Sequence, residues 1–294
     1  MIIDAHGHLN WHKHDTDRVV ANLDEHGIDQ MWALSWELIL PVENAENRSY
    51  SGAIDPRHRA GQWMPLSDVV DGAKRYPDRL IPFYAPHPKQ ENGLEKLQAA
   101  VEIHGIRGVG EWKFRVPLDD PDGIKIWRYA GEQKMPVIIH MDLPRLPPSD
   151  PDGWMASWYG GTADHLEHAL QLAPDTIVLG HGPGFWRYVT GKEPEIKTAY
   201  LNGPEDYAEG GRLIDLLETY PNLYCDLSAG SGCRGLQCFP DGGKQFLTTY
   251  QDRALFARDY FDAKLRDHLE TLDLDETVKT KILSGNAQRL VPPK

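Results

Sequence analysis

The sequence predicts an α/β protein built as a single-domain (β/α)8 TIM barrel with long βα loops, and three observations predict it. Eight short apolar runs recur along the 294 residues. Stretches with helical spacing of apolar residues stand between most of them. The chain after run one reads AHGHLN. This is not the glycine-rich nucleotide loop that an open doubly wound sheet usually carries at that point. Alternation alone fits both architectures, and the missing loop favours the closed one.

Each element follows in order. Run one is residues 1–6 (MIIDAH), and the amphipathic stretch 16–27 (TDRVVANLDEHG) is its helix. Run two is 28–36 (IDQMWALSW), and the long segment 37–65 behind it reads as a lid or an oligomer arm. Run three, 79–86 (RLIPFYAP), leads to a helix at 92–105 (NGLEKLQAAVEIHG). Run four, 105–114 (GIRGVGEWKF), leads to a helix at 121–134 (PDGIKIWRYAGEQK). Run five, 135–140 (MPVIIH), precedes the helix 162–173, and run six, 176–181 (TIVLGH), the helix 211–220. Run seven, 222–229 (NLYCDLSA), precedes the helix 244–252. Run eight, 253–259 (RALFARD), is followed by a closing helix at 278–291 (VKTKILSGNAQRLV), with Gly285 and Asn286 as a break inside it. No internal repeat or low-complexity linker interrupts this order, so residues 1–294 read as one domain.

Composition narrows the function. Hydrophobic residues at 40% and charged residues at 26% suit a water-soluble chain with a sizeable core. A net charge of −13 argues against a general nucleic-acid binder. No apolar stretch approaches the roughly 20 residues of a membrane span. The start lacks the basic segment and apolar core of a secretory leader. Cys225, Cys233 and Cys238 fit neither a disulfide framework nor a zinc knuckle and read as reduced thiols of a cytoplasmic protein.

The ends of the runs carry the chemistry. Residues two apart on a strand share a face, so His6 and His8 point together at the end of run one, with Asp4 one step deeper. Run five ends in His140, run six in His181 and run eight in Asp259, while run four carries Glu111. In a parallel barrel these ends meet on one rim, where active sites sit. One such histidine is ordinarily structural. Histidines on three strands and carboxylates on two more predict a shared divalent-metal site. His12 and His14 read as loop residues entering the first helix. His26, His104, His165, His168 and His268 fall outside the pocket, His87 is ambiguous, and His58 lies in the long segment.

From IIDAHGH to SGNAQRL the chain resembles the amidohydrolase superfamily, most closely its amidohydrolase 2 branch. The resemblance rests on the H-x-H opening, the histidines closing runs five and six, and the aspartate closing run eight. It implies that His6 and His8 bind the more buried metal and that His140 and His181 bind a second, or act on substrate if there is only one. It implies that Asp259 ligates metal and takes a proton from water, and that Glu111 is a bridging carboxylate. Some members use a carbamylated lysine there, a role open to Lys113, although the Gly-Glu pair fits the glutamate version better. The chain departs from the pattern at Arg258, where relatives usually have threonine or serine; strand alternation points that side chain away from the pocket.

The implied cofactor is one or two divalent ions, zinc first, with manganese or iron as alternatives. The implied reaction is hydrolysis of an amide, lactone or other ester bond in a small substrate. A mononuclear decarboxylase or hydratase is the runner-up, and a catalytically silent metal-binding barrel is the alternative of another class. For the substrate, Trp154, Trp158 and Tyr159 stand in the loop after run five, Trp186 and Arg187 in the loop after run six, and Ser231 and Arg234 in the loop AGSGCRG after run seven. Arginines with aromatics suit a small planar carboxylate, but the same residues suit packing or a subunit contact, so a homo-oligomer stays open.

Overall fold

Eight parallel strands coincide with the eight apolar runs, the first ending one residue beyond its run, in a computed structural model that describes residues 1–37, 64–142, 159–196, 198 and 200–293. They are β1 (Ile3–Gly7), β2 (Gln30–Ala33), β3 (Leu80–Pro82), β4 (Val109–Trp112), β5 (Val137–His140), β6 (Val178–His181), β7 (Leu223–Asp226) and β8 (Ala254–Leu255). Neighbours in sequence are neighbours in space, in one ladder β1-β2-β3 and another β4-β5-β6-β7-β8. Two seams join the ladders. At the first, Phe83 bridges Gly108 in parallel, and the Tyr84 N–H donates to the Gly108 carbonyl at 3.1 Å. At the second, the Ala5 N–H donates to the Phe256 carbonyl at 3.0 Å and the Asp259 N–H to the His6 carbonyl at 2.8 Å. The ring is closed, and the fold is a TIM barrel.

Side chains separate into two apolar layers. Inside the ring, Ile3, Ala5, Trp32, Leu34, Phe83, Ile138, Leu179, Tyr224, Leu255 and Ala257 form one buried cluster. Between strands and helices lies a larger one, to which Val19 and Leu23 of the helix Thr16–Glu25 and Ile126 and Trp127 of the helix Pro121–Glu132 contribute. Asp15 caps the first of these helices by accepting from the Arg18 N–H, and Asp120 caps the second through the Asp122 N–H. None of the described helices is long and apolar enough to cross a membrane. All three cysteines are free and buried, and burial pushes the Cys225 thiol far up.

The structure corrects the expected elements in three places. Helices Leu66–Arg75, Pro183–Trp186 and Lys264–Thr271 add to those expected. The stretch AGSGCRG, expected as a loop, opens the helix Ala229–Cys238. A Cβ on Gly232 would lie 2.2 Å from the Leu227 carbonyl oxygen, so glycine serves close packing there, not looping. The break expected at Gly285 and Asn286 is absent: the helix Glu276–Thr280 continues through a π-type stretch, Lys281–Gly285, into the helix Asn286–Leu290. Asn286 is instead a tie, donating its side-chain amide to the carbonyls of Gln251 at 2.7 Å and Ala254 at 2.8 Å. Trp154, Trp158, His58 and most of the expected lid at 37–65 lie outside the described residues.

Candidate metal centre

The six expected ligands meet at the C-terminal mouth of the barrel. Three triads among them have ligand atoms within 4.8 Å of one another: His6, His8 and Glu111; His6, His181 and Asp259; Glu111, His140 and His181. Strand alternation explains most of the convergence. His140 stands two residues after Ile138, His181 two after Leu179, and Asp259 two after Ala257, so each follows an inward-facing core residue.

On β1 alternation fails. The register with β2 shifts between Asp4 and Gly7, which turns His6 inward just after inward-facing Ala5. Asp4 is thereby corrected: it does not share the histidine face. Its carboxylate accepts from the Arg258 Nε at 2.7 Å and the Arg258 backbone N–H at 2.8 Å, and Arg258 extends to Asn22 on the first helix. Burial pushes the Asp4 carboxyl up, with Arg258 opposing. Arg258 therefore points out of the pocket, as expected.

Each histidine is oriented through its second nitrogen. His6 Nδ1 donates to Asp226 Oδ2 at 2.6 Å and His8 Nδ1 to the Leu34 carbonyl at 3.1 Å, aiming both Nε2 atoms into the site. His181 Nδ1 pairs with Ser228 Oγ at 2.7 Å. His140 Nδ1 lies 2.7 Å from Glu111 Oε1. Glu111 sits between the two imidazole pairs: its Oε2 is 3.4 Å from His8 Nε2, and its Oε1 is 4.0 Å from His6 Nε2 and 3.8 Å from His181 Nε2. Asp259 Oδ1 lies 3.7 Å from His6 Nε2 and 3.5 Å from His8 Nε2, and its Oδ2 is 3.8 Å from His181 Nε2.

The electrostatics favour a cation. Burial would lower the His6 pKa, but Asp226, Asp259 and Glu111 carry it up to about 10. Burial and the neighbouring His6 push His181 down to about 4. Burial would raise Glu111, yet Lys113 and His140 hold it well below the ordinary carboxylate range. Buried His6 Nε2 has no hydrogen-bond partner among the described residues, although three carboxylates surround its ring. A buried ring nitrogen without a hydrogen bond, amid carboxylates that already draw positive charge onto it, suits a divalent ion in the proton's place, so the residues fit the implied metal. Nitrogen and oxygen donors together suit zinc, manganese and iron alike.

Asp226 escaped the reading of the sequence. It ends β7 two residues after inward-facing Tyr224, the same signal that marked the ligands on the other strands. The remaining candidates divide. Lys113 and Tyr159 are both buried, with the Lys113 ammonium 4.6 Å from the Trp36 ring centre and 5.3 Å from that of Tyr159. Lys113, Trp36 and Ser231 line the cavity over the ligands. Exposed Arg234 reaches only its rim, stacked 5.3 Å from Tyr200. Arg187 is not brought into the site: Glu193, six residues on, holds its Nε at 2.8 Å. Trp186 packs behind β7 with its Nε1 on the Asp226 carbonyl at 3.1 Å.

None of the other described histidines belongs to a candidate ligand group. His12 and His14 form the turn before the first helix, with His14 stacked on Phe261 at 3.8 Å. His165 belongs to a capping box, His168 pairs with Asp119 at 2.9 Å, and His268 with the Gly242 carbonyl at 2.9 Å. His87 accepts from the Lys89 N–H at 3.1 Å and packs against Phe114, outside the ligand cluster.

The family model described as Amidohydrolase (Amidohydro_2) matches residues 3–292. The comparison with curated proteins returned no match. Among solved structures, a dihydroxybenzoic acid decarboxylase from Polaromonas sp. JS666 with bound manganese and the inhibitor 2-nitroresorcinol is 20% identical. It covers 99% of this chain and 96% of its own, with a TM-score of 0.61. A 5-carboxyvanillate decarboxylase from Sphingomonas paucimobilis is 13% identical over 100% of this chain and 99% of its own, with a TM-score of 0.62. A probable 2-pyrone-4,6-dicarboxylic acid hydrolase from Acinetobacter baumannii is 14% identical over 99% and 98%, with a TM-score of 0.57.

Proposed function

We propose that this chain, which belongs to the amidohydrolase family, is a metal-dependent hydrolase cleaving an amide, lactone or other ester bond of a small carboxylated substrate. One observation carries the reading: the Glu111 carboxylate lies between the His6/His8 pair and the His140/His181 pair, with an oxygen within 4.0 Å of a ring nitrogen of each. A carboxylate so set is suited to bridge two ions. The six residues would hold one or two divalent cations, zinc first and manganese or iron otherwise. Such ions supply Lewis acidity and lower the pKa of a coordinated water towards about 7.

The chain's own groups would do the rest. Asp259 is the general base: it takes the proton of the attacking water and returns it to the leaving group. His181, held at Nδ1 by Ser228, would ligate through Nε2 where two ions are bound, and would turn that nitrogen to the substrate where only one is. Asp226 holds His6 in one tautomer. Lys113, set over the Trp36 and Tyr159 rings, would offer its charge to the substrate carboxylate while the rings exclude water.

A second reading, a mononuclear decarboxylase, is favoured by that same aromatic wall with its cation, which suits a carboxylated ring of the kind named for two of the structural relatives. Metal analysis of the purified chain separates the two. The hydrolase reading expects two equivalents per chain, falling to about one in Glu111→Gln. One equivalent in the native chain, unmoved by Glu111→Gln, would transfer support to the lyase. No bound metal would leave a catalytically silent barrel.

A further inference from the structure

We infer that Asp4 and Arg258 are positioning residues for Asp259: a buried ion pair between β1 and the end of β8 sets the aim of that carboxylate. The inference rests on reading Asp259 as a metal ligand and base.

Asp259 has φ +62°, a left-handed conformation that a non-glycine residue holds only when its surroundings impose it. Three ties impose it. Directly before it, the Arg258 backbone N–H and Nε are gripped by the two oxygens of Asp4, at 2.8 and 2.7 Å. At the residue itself, the N–H is held by the His6 carbonyl at 2.8 Å. Two residues beyond, the Phe261 carbonyl accepts from Asn22 Nδ2 at 3.1 Å, and the Asn22 side-chain oxygen accepts from Arg258 Nη1 at 2.9 Å. One network thus clamps the chain on both sides of Asp259. It also joins that segment to β1, which carries His6 and leads into His8. Asp4 and Arg258 are each at least 95% buried, so water does not compete for these bonds. A cation directly before a ligand, in this arrangement, is the keystone of the ligand's backbone and no contact of the substrate.

Cobalt(II) titration tests this, because its visible absorption reports the ligand set without any substrate. Asp259→Asn should weaken cobalt binding and alter the spectrum. Asp4→Asn should move the spectrum in the same direction and weaken binding about ten-fold or more, the usual cost of losing a residue that orients a ligand. Because both act through one group, Asp4→Asn/Asp259→Asn should bind no worse than Asp259→Asn alone. Should Asp4→Asn fail to fold, Asp4→Asn/Arg258→Gln removes both charges together. Asn22→Ala loosens the same clamp from the helix side and should give a smaller change of the same kind. A folded Asp4 variant with native cobalt affinity and spectrum would reduce the pair to a structural staple, and multiplying losses in the double variant would sever it from Asp259. If native protein takes up no cobalt, or Asp259→Asn leaves the spectrum unmoved, the ligand reading fails first and the inference with it.

Discussion

Two successive layers of side chains point into the barrel from the same strands, two residues apart, and they have opposite chemistry. The lower layer is Ile138, Leu179, Tyr224 and Ala257, and the upper is His140, His181, Asp226 and Asp259. Burial barely distinguishes them: Leu179 and Asp226 are both at 0% exposure. For the lower layer that burial is a gain of about 25 cal/mol per Å² of apolar surface. For the upper layer it is a cost, because a buried ionisable group needs partners before it is tolerated. Adjacent steps of one strand therefore answer to different demands, stability below and chemistry above. Substitutions in each should fail in different ways.

The largest effect is expected at the top. Asp259→Asn, assayed with metal in excess so that the histidines and Glu111 stay loaded, should lower turnover about 10²–10⁴-fold, the range for a positioned acid–base group. Retained activity would remove Asp259 from proton transfer. One layer down, Leu179→Ala should cost about 2–5 kcal/mol in denaturant unfolding and leave the metal content of the folded fraction unchanged. A loss of metal without a loss of stability would show that the lower layer tunes the site and would dissolve the contrast. Between these extremes stands Asp226→Asn, which keeps shape and removes the charge facing His6. It should weaken metal binding about 10–100-fold, read by competition with a chelator.

The two layers were not equally legible. The lower layer and all eight strands can be read from the sequence because short apolar runs bounded by polar loops are what a barrel strand requires. The upper layer can be read wherever strict alternation holds, as at His140 and His181. Asp226 carries the same mark, but run seven read as 222–229 sets it in mid-run, whereas the strand ends at Asp226 itself. Asp4 was misread for a different reason: the register shift on β1 reverses the facing of its side chain, and nothing in the residue types announces a bulge. Composition alone points Arg187 at a substrate and does not say that Glu193 takes it first. Gly232 looked like a loop residue because the need for a bare Cα arises from Leu227, a contact formed only within the helix turn.

The smallest expected effect sharpens the contrast inside the upper layer itself. His6 and His181 touch, with ring centres 4.5 Å apart, yet their pKa values move in opposite directions, to about 10 and about 4. In unfolded chain both would titrate near 6.5. Between pH 6.5 and 4 the unfolded state carries a proton on His181 that the folded state refuses, so stability should fall as pH falls through that window. For His6 the folded state holds the extra proton; its contribution is complete below pH 6.5 and should be lost as pH rises towards 10. Thermal unfolding of metal-stripped protein should therefore decline on both sides of about pH 6.5. Stripping is essential, since a bound cation replaces the proton at both rings. His181→Asn should flatten the acid limb by at most one proton's slope and leave the alkaline limb, and His6→Asn the reverse. Identical profiles for the two variants would mean that the pair titrates as one group, and that Asp226 does not set His6 apart from its neighbour.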